Sequence, residues 1–204
     1  MATLAASDIV SIWELGSHRP DWSKALIALG PALPEARPSD LAALSVGERN
    51  AHLLALRRNI IGPTMQAIVK CPVCGEPLEF EQRIDELLDG YAPPAGREFD
   101  FVSGDHEVRY RLLTSDDLAF AASRGGEPEA HRSLIARALV SASHAGEPIA
   151  AAEIPDELLD LIAGDMAERD PLAYVEIPLA CAACEHVWPA MFQIVPFLWI
   201  EFER

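Results

Sequence analysis

Lysine is nearly missing from this chain. Of 204 residues only Lys24 and Lys70 are lysines, and Lys and Arg together number 16 against 32 Asp and Glu. A formal charge of -16 with no polybasic segment excludes duplex nucleic acid and anionic membrane surfaces as ligands, since both are held by clustered cations. Long apolar runs are missing too: no stretch approaches the roughly 18 apolar residues of a membrane helix. The start, MATLAASDIVSIWEL, has neither the basic residues nor the long apolar run of a secretory signal. A soluble, cytoplasmic protein is expected. Catalytic signatures are also absent, with no phosphate loop, G-x-G-x-x-G, H-E-x-x-H or G-x-S-x-G. The histidines are scattered at positions 18, 52, 106, 131, 144 and 186, and the paired acids Asp116-Asp117 and Asp156-Glu157 stand where helix starts explain them. The expectation is a protein that is not an enzyme.

Apolar residues make up 50% of the chain, enough to bury a real core in one ordinary domain or two small ones. The charge is uneven along the sequence. Residues 1–70 carry seven Lys/Arg against six Asp/Glu, and residues 71–204 carry nine against twenty-six. The acid excess reads as a solvated surface or as one complementary to a basic partner.

Cysteine is scarce but ordered. The four form two pairs, Cys71-Pro-Val-Cys74-Gly75 and Cys181-Ala-Ala-Cys184, separated by 106 residues. In a reducing compartment such pairs point to metal before disulfide. A C-x-x-C at a hairpin tip can set two thiolates side by side, and two such tips close a tetrahedral four-sulfur site that suits one structural Zn²⁺; an iron–sulfur cluster also uses four Cys. Cys71, Cys74, Cys181 and Cys184 are therefore the candidate metal ligands. His186 is read as a turn residue or as one that supports the sulfur ligands by hydrogen bonding, and Glu185 stands where such a knuckle often has Gly. One ion on both pairs would pin the ends of residues 75–180 together, a loop-closure term of a few kcal/mol, roughly.

The rest reads as α+β: a helical N-terminal region at 1–63 with a Pro-rich arm at 31–38, then a zinc-ribbon domain at 64–204. Its knuckles lie at 71–75 and 181–186, with an inserted hairpin and helices over 84–172. Short helices are expected at 8–15 and 21–29, capped at Ser7 and Asp21 and ending at Gly16 and Gly30. Pro31, Pro34 and Pro38 are expected outside helices, in an extended arm. Ser45 and Glu48 have capping-box spacing ahead of a helix at 46–61. The segments MQAIVK and PLEFEQR flank the first pair as hairpin arms, a second hairpin is expected at 97–113, and VWPAMFQI reads as a strand. Thr114 and Asp117 mark a helix start, with its end near Gly125-Gly126. Ala130, Leu134, Ile135, Ala138, Leu139 and Ala142 form one apolar helix stripe, and Leu158, Leu159, Ile162, Ala163 and Met166 another. The tail is aromatic: Trp188 and Phe192 read as core, while Phe197, Trp199 and Phe202 are read either as core or as an apolar segment that docks on a partner.

Several short motifs occur in a telling order: LSVGER at 44–49, LLALR at 53–57, Gly62-Pro63, CPVCGEPLEF, YRLLTSDDL, ERDPLA, and CAACEHVW with FQIVPFLW. Together these resemble the zinc-ribbon proteins encoded beside contractile phage tails and contractile injection systems, similar to T4-type baseplate hub assembly chaperones. The resemblance runs from about residue 40 to the end. It implies a non-enzymatic factor that helps a baseplate, hub or tail assemble, with tail, hub or spike proteins as partners and the chain either leaving or staying in the particle. A zinc-ribbon adaptor or regulator that binds other proteins, and a zinc-dependent or redox enzyme, are the competing readings.

Overall fold

The computed structural model describes residues 1–123 and 127–203. In chain order the elements are α1 (Ala6–Gly16), α2 (Asp21–Ala32), α3 (Pro38–Ala42), α4 (Val46–Ile60), β1 (Thr64–Lys70), β2 (Pro77–Arg83), α5 (Ile84–Leu88), β3 (Glu98–Ser103) and β4 (His106–Arg111). There follow α6 (Ser115–Ala122), α7 (Glu127–Ala138), β5 (Leu139–His144), β6 (Glu147–Pro148), α8 (Asp156–Arg169), β7 (Val175–Ala180), β8 (Val187–Phe192) and α9 (Ile194–Phe202). The fold is mixed helix and sheet, as the α+β expectation requires. The chain divides into two units, one of residues 1–35, 50–91 and 174–204 and the other of 36–49 and 92–173. Residues 1–63 are thus not a unit apart from the cysteine hairpins: α1 and α2 belong with both of them.

In the first unit β1 pairs antiparallel with β2, and β7 with β8, giving two separate hairpins. Their inward faces alternate in the expected way, with Ile177 and Leu179 buried while Glu176, Pro178 and Ala180 face out. Pro178 lies opposite Pro189. The Cys181 amide donates to the His186 carbonyl two steps along the ladder from Leu179 and Trp188, which puts the two prolines at a non-hydrogen-bonded pair. There neither missing N–H breaks the ladder, and both outer edges are blunted. Ile12, Ala25, Ala28, Leu29, Leu53, Leu54, Leu56, Met65, Ile84 and Leu198 are among the buried apolar residues of this unit.

A second joint in this unit is polar. Arg57, 2% exposed, points back from the last turn of α4. Its Nη1 donates to the carbonyls of Gly62 at 2.6 Å and Thr64 at 2.7 Å, while Nε and Nη2 grip the Glu201 carboxylate of α9 at 2.9 and 2.5 Å. One guanidinium thus satisfies two loop carbonyls and a carboxylate, which is what makes a buried cation tolerable.

The second unit carries a four-stranded antiparallel sheet in the order β3-β4-β5-β6. Val108 and Tyr110 from the sheet, with Leu112 just past the end of β4, pack with Ile135 and Ala138 of α7, with Ile154, and with Leu158, Leu159, Ile162 and Met166 of α8. Ser45 and Glu48 form the capping box: the Ser45 hydroxyl accepts from the Glu48 amide at 3.1 Å and Glu48 accepts from the Ser45 amide at 3.0 Å. Asp170, 3% exposed, completes this cap. It accepts from the Ser45 hydroxyl at 3.0 Å and the Gly47 amide at 2.8 Å, and a Cβ on Gly47 would fall 1.9 Å from its Oδ1. Val46 donates to the Leu113 carbonyl, and the buried Arg49 donates to Ser115. Three of the sequence motifs, LSVGER, LLTSDDL and ERDPLA, therefore meet in one buried polar joint.

Several expectations are corrected. Helices α1 and α2 start after Ala5 and Pro20, not at caps on Ser7 and Asp21; Asp8 accepts from the Ala5 amide at 2.7 Å instead. Pro31 lies inside α2, which runs past Gly30 to Ala32, and Pro38 opens α3, so the arm is reduced to residues 33–37. A proline near the end of a helix loses only one backbone bond, and at the first helical position it loses none. The apolar stripe through Leu139 and Ala142 is not all helix. The helix ends at Ala138, and Leu139–His144 becomes a strand because β4 offers it an edge to pair with. The expected helix end near Gly125-Gly126 lies outside the described residues; α6 itself ends at Ala122.

Asp117 generates a test. It is fully buried and holds Arg111 at 2.6 and 2.9 Å and Arg137 at 3.0 Å, and it accepts from the Thr114 amide at 2.9 Å. Burial alone would raise its pKa, but the hydrogen bonds from Arg111, Thr114 and Arg137 outweigh that and hold it well below the usual carboxylate range. The stabilisation is complete above the unfolded-state value near 4 and is lost as pH falls through the lower folded value. Asp170 has the opposite sign: burial raises its pKa despite the Gly47 and Ser45 bonds, so its protonated form favours the fold and that favour fades as pH rises. Asp117→Asn is expected to cost about 3 kcal/mol at neutral pH and to flatten the acid limb of stability below about pH 4, read by urea melts across pH.

Candidate metal centre

Each cysteine pair sits at the tip of its hairpin, and the two tips have the same backbone. In the first, Cys71 donates from its amide to the Glu76 carbonyl at 2.9 Å and accepts from the Gly75 amide at 2.9 Å; in the second, Cys181 does the same with His186 and Glu185, both at 2.8 Å. The residue after the second cysteine must turn through positive φ. Gly75 does so at 76° and Glu185 at 60°. The Glu at that position, expected to weaken the second knuckle, takes the glycine conformation.

The tips bring all four thiols together. Cys71 Sγ lies 3.7 Å from Cys184 Sγ, and Cys74 Sγ lies 3.6 Å from Cys181 Sγ, so each pair crosses between hairpins. All four sulfurs fall within 4.8 Å of one another. A disulfide needs about 2.05 Å, and these are four free thiols. Sulfurs about 2.3 Å from a tetrahedral ion are about 3.8 Å apart, close to the two spacings observed. The donor set therefore fits a single ion. Cys71 and Cys181 are buried and Cys74 and Cys184 exposed.

Charge gives a second reason for a cation. Burial disfavours the Cys71 thiolate, but the Cys74 and Val73 amides and the neighbouring thiols outweigh it and lower its pKa to about 6. The Glu76 amide favours the Cys74 thiolate, yet Cys184, burial, Cys181 and Cys71 together push it up to about 12. Left alone, the cluster ionises only in part; a bound cation removes the repulsion and lets every thiol act as thiolate.

His186 is not among the sulfur cluster. Its ring stacks on Trp188 at 5.7 Å and 11°, and its carbonyl closes the knuckle. The aromatic tail is α9. Trp199 is 3% exposed, under Lys24, whose Nζ is 5.7 Å from the ring, and against Gly16, where a Cβ would meet the indole at 2.3 Å. Trp199 thus belongs to the core of its unit, the first of the two readings open for it in the sequence. Phe197 and Phe202 are half-buried; Phe197 lines a shallow groove of about 550 Å³ with Ala67, Ile68, Phe80 and Ile200. The sequence reading missed Arg57 and Glu201; the visible signal was the Arg that closes the apolar run LLALR.

Comparison with known proteins finds no matching protein family, curated protein or solved structure. Among the described residues no helix is long and apolar enough to cross a membrane.

Two substitutions check this geometry. Glu185→Gly relieves the left-handed strain and is expected to raise the stability of the metal-loaded protein by about 1 kcal/mol, measured by denaturant melts. Gly16→Ala pushes a methyl into the Trp199 ring and is expected to cost about 2 kcal/mol, with a changed tryptophan emission.

Proposed function

We propose that this chain is a protein-binding assembly factor, or a baseplate-associated component, of a contractile phage tail or contractile injection system, built around one structural zinc ion in a ribbon of two C-x-x-C knuckles. The observation that carries the metal reading is the crossed sulfur pairing at 3.6 and 3.7 Å. Four thiolates leave a tetrahedral ion no open position, so the zinc contributes folding energy rather than chemistry. A core of several irons would hold its thiolates further apart than 4.8 Å, which favours one ion over an iron–sulfur cluster.

The assembly reading rests on the motif order from residue 40 onward. Its support in the fold is that LSVGER, LLTSDDL and ERDPLA converge on one joint, so they act as a set. On this reading the zinc-pinned hairpins offer a rigid platform, and the groove beside Phe197, with the exposed Ile68 and Ile200, receives an apolar segment of a hub or spike subunit. A zinc-ribbon adaptor of another complex would use the same surface.

Metal analysis of reduced, purified protein is expected to give one zinc per chain, with the first unit unfolding on chelation and Cys181→Ser reproducing that loss. Co-expression with sheath, tube, hub and spike proteins is expected to co-purify a hub or spike subunit, and Phe197→Glu to abolish that without lowering zinc content. Normal particle assembly in a deletion strain would sink the assembly role and leave the adaptor.

A further inference from the structure

Outside the cysteine centre, the second unit places two imidazoles side by side. His106 of β4 lies directly opposite His144 of β5 in the antiparallel register. The Ala145 amide donates to the Asp105 carbonyl at 2.8 Å one step further along the ladder, so 106 and 144 form a non-hydrogen-bonded pair, the kind in which side chains approach most closely. Their ring centroids are 4.3 Å apart with the planes tilted by 39°. They share a sheet face with Val108 and Ala142, the next non-hydrogen-bonded pair. Val108 is buried, His106 half-buried and His144 exposed, so the pair stands at the rim of the apolar core with one side open.

The backbone around the pair is tightly held. Two short turns flank it, one at Gly104 with φ 58° and one at Ala145-Gly146 with φ 49° and 83°. β6 then returns beside β5 at Glu147. Neither histidine can leave the other by a slip of register without moving its strand's whole apolar set off the core face.

We propose that His106 and His144 form a two-imidazole site for a late first-row divalent ion such as Ni²⁺, Cu²⁺ or Zn²⁺. Paired neutral imidazoles suit these ions and not Ca²⁺ or Mg²⁺, which take oxygen ligands. The second unit carries nine Lys/Arg against eighteen Asp/Glu, a field that draws cations. Among the described residues no third protein ligand joins the pair, the four cysteines being the group of three or more that lies close enough. The remaining positions are therefore open to water or to a side chain of another molecule, and the ion is exchangeable rather than structural.

The test uses the tag-free protein with its cysteine centre loaded with zinc, titrated with NiCl₂ by calorimetry. Ni²⁺ is the probe because thiolates do not reduce it as they do Cu²⁺. The wild type is expected to take up one Ni²⁺ per chain. His144→Ala, at an exposed position, and His106→Gln are each expected to weaken that binding by at least about tenfold, with unchanged circular dichroism and zinc content. His186→Ala, beside the cysteine centre, is expected to leave it unchanged. No uptake of Ni²⁺ by the wild type, retention of its affinity in His144→Ala, or loss of it in His186→Ala would overturn the proposal.

Discussion

Four thiols held within 4.8 Å of one another are the constraint on which the first unit depends. Each hairpin that carries a pair is only two strands, and a two-stranded hairpin is marginal in water by itself. Joining the tips does what neither hairpin can do alone: it fixes the ends of the 106-residue excursion between Cys74 and Cys181. Residues 92–173 of that excursion form most of the second unit. Because loop-closure entropy grows only slowly with length, a long excursion costs little more than a short one. A whole unit can therefore be inserted between two knuckles without weakening their reason to meet.

The same economy of partners recurs wherever charge is buried. Arg57 takes two carbonyls and one carboxylate, Asp117 takes two guanidinium groups and an amide, and Asp170 takes a hydroxyl and an amide. Arg57 and Asp170 join segments at least 123 residues apart and Asp117 ties α6 to its neighbours in sequence, and each would be a liability if one partner were removed. Among the described residues Asp117 and Asp170 are the buried acids. Counted by unit, the charge is -7 in the first and -9 in the second. The near-neutral start seen along the sequence disappears, because α1 and α2 fold together with the acidic hairpins. The acidity is a property of both surfaces.

Legibility followed the range of the interaction. The capping box at Ser45 and Glu48, the hairpins around both cysteine pairs, the β3–β4 hairpin and the α8 stripe rest on residues a few positions apart, and local chemistry decided them. The four sulfurs were legible although far apart, because two C-x-x-C pairs that use every cysteine of the chain match the four-sulfur donor set of a single ion. What was not legible depended on tertiary partners. Leu139–His144 became a strand only because β4 has an edge to fill, with a register shift at Arg109 and Tyr110 to admit it. Trp199 is core only because Gly16 leaves room for its ring. The division into units was hidden for the same reason: the chain crosses between them four times, and no composition shift marks those points.

The joint at Gly47 bears on what the motif order can mean. LSVGER holds a glycine where any Cβ would collide with Asp170, a serine that bonds the same carboxylate, and an arginine that reaches Ser115. These residues are fixed by one another, and none of them needs a partner molecule to explain its identity. Ser45, Arg49, Ser115 and Asp170 are all buried, so a chain that keeps this set keeps a way of joining α4 to α6 and to the end of α8. It follows that these motifs constrain the scaffold of the second unit directly. The apolar groove at Phe197 belongs to the first unit and draws on Ile68 and Ile200, which these three motifs leave out. Two chains with the same joint can therefore share an architecture while differing at surfaces such as that groove.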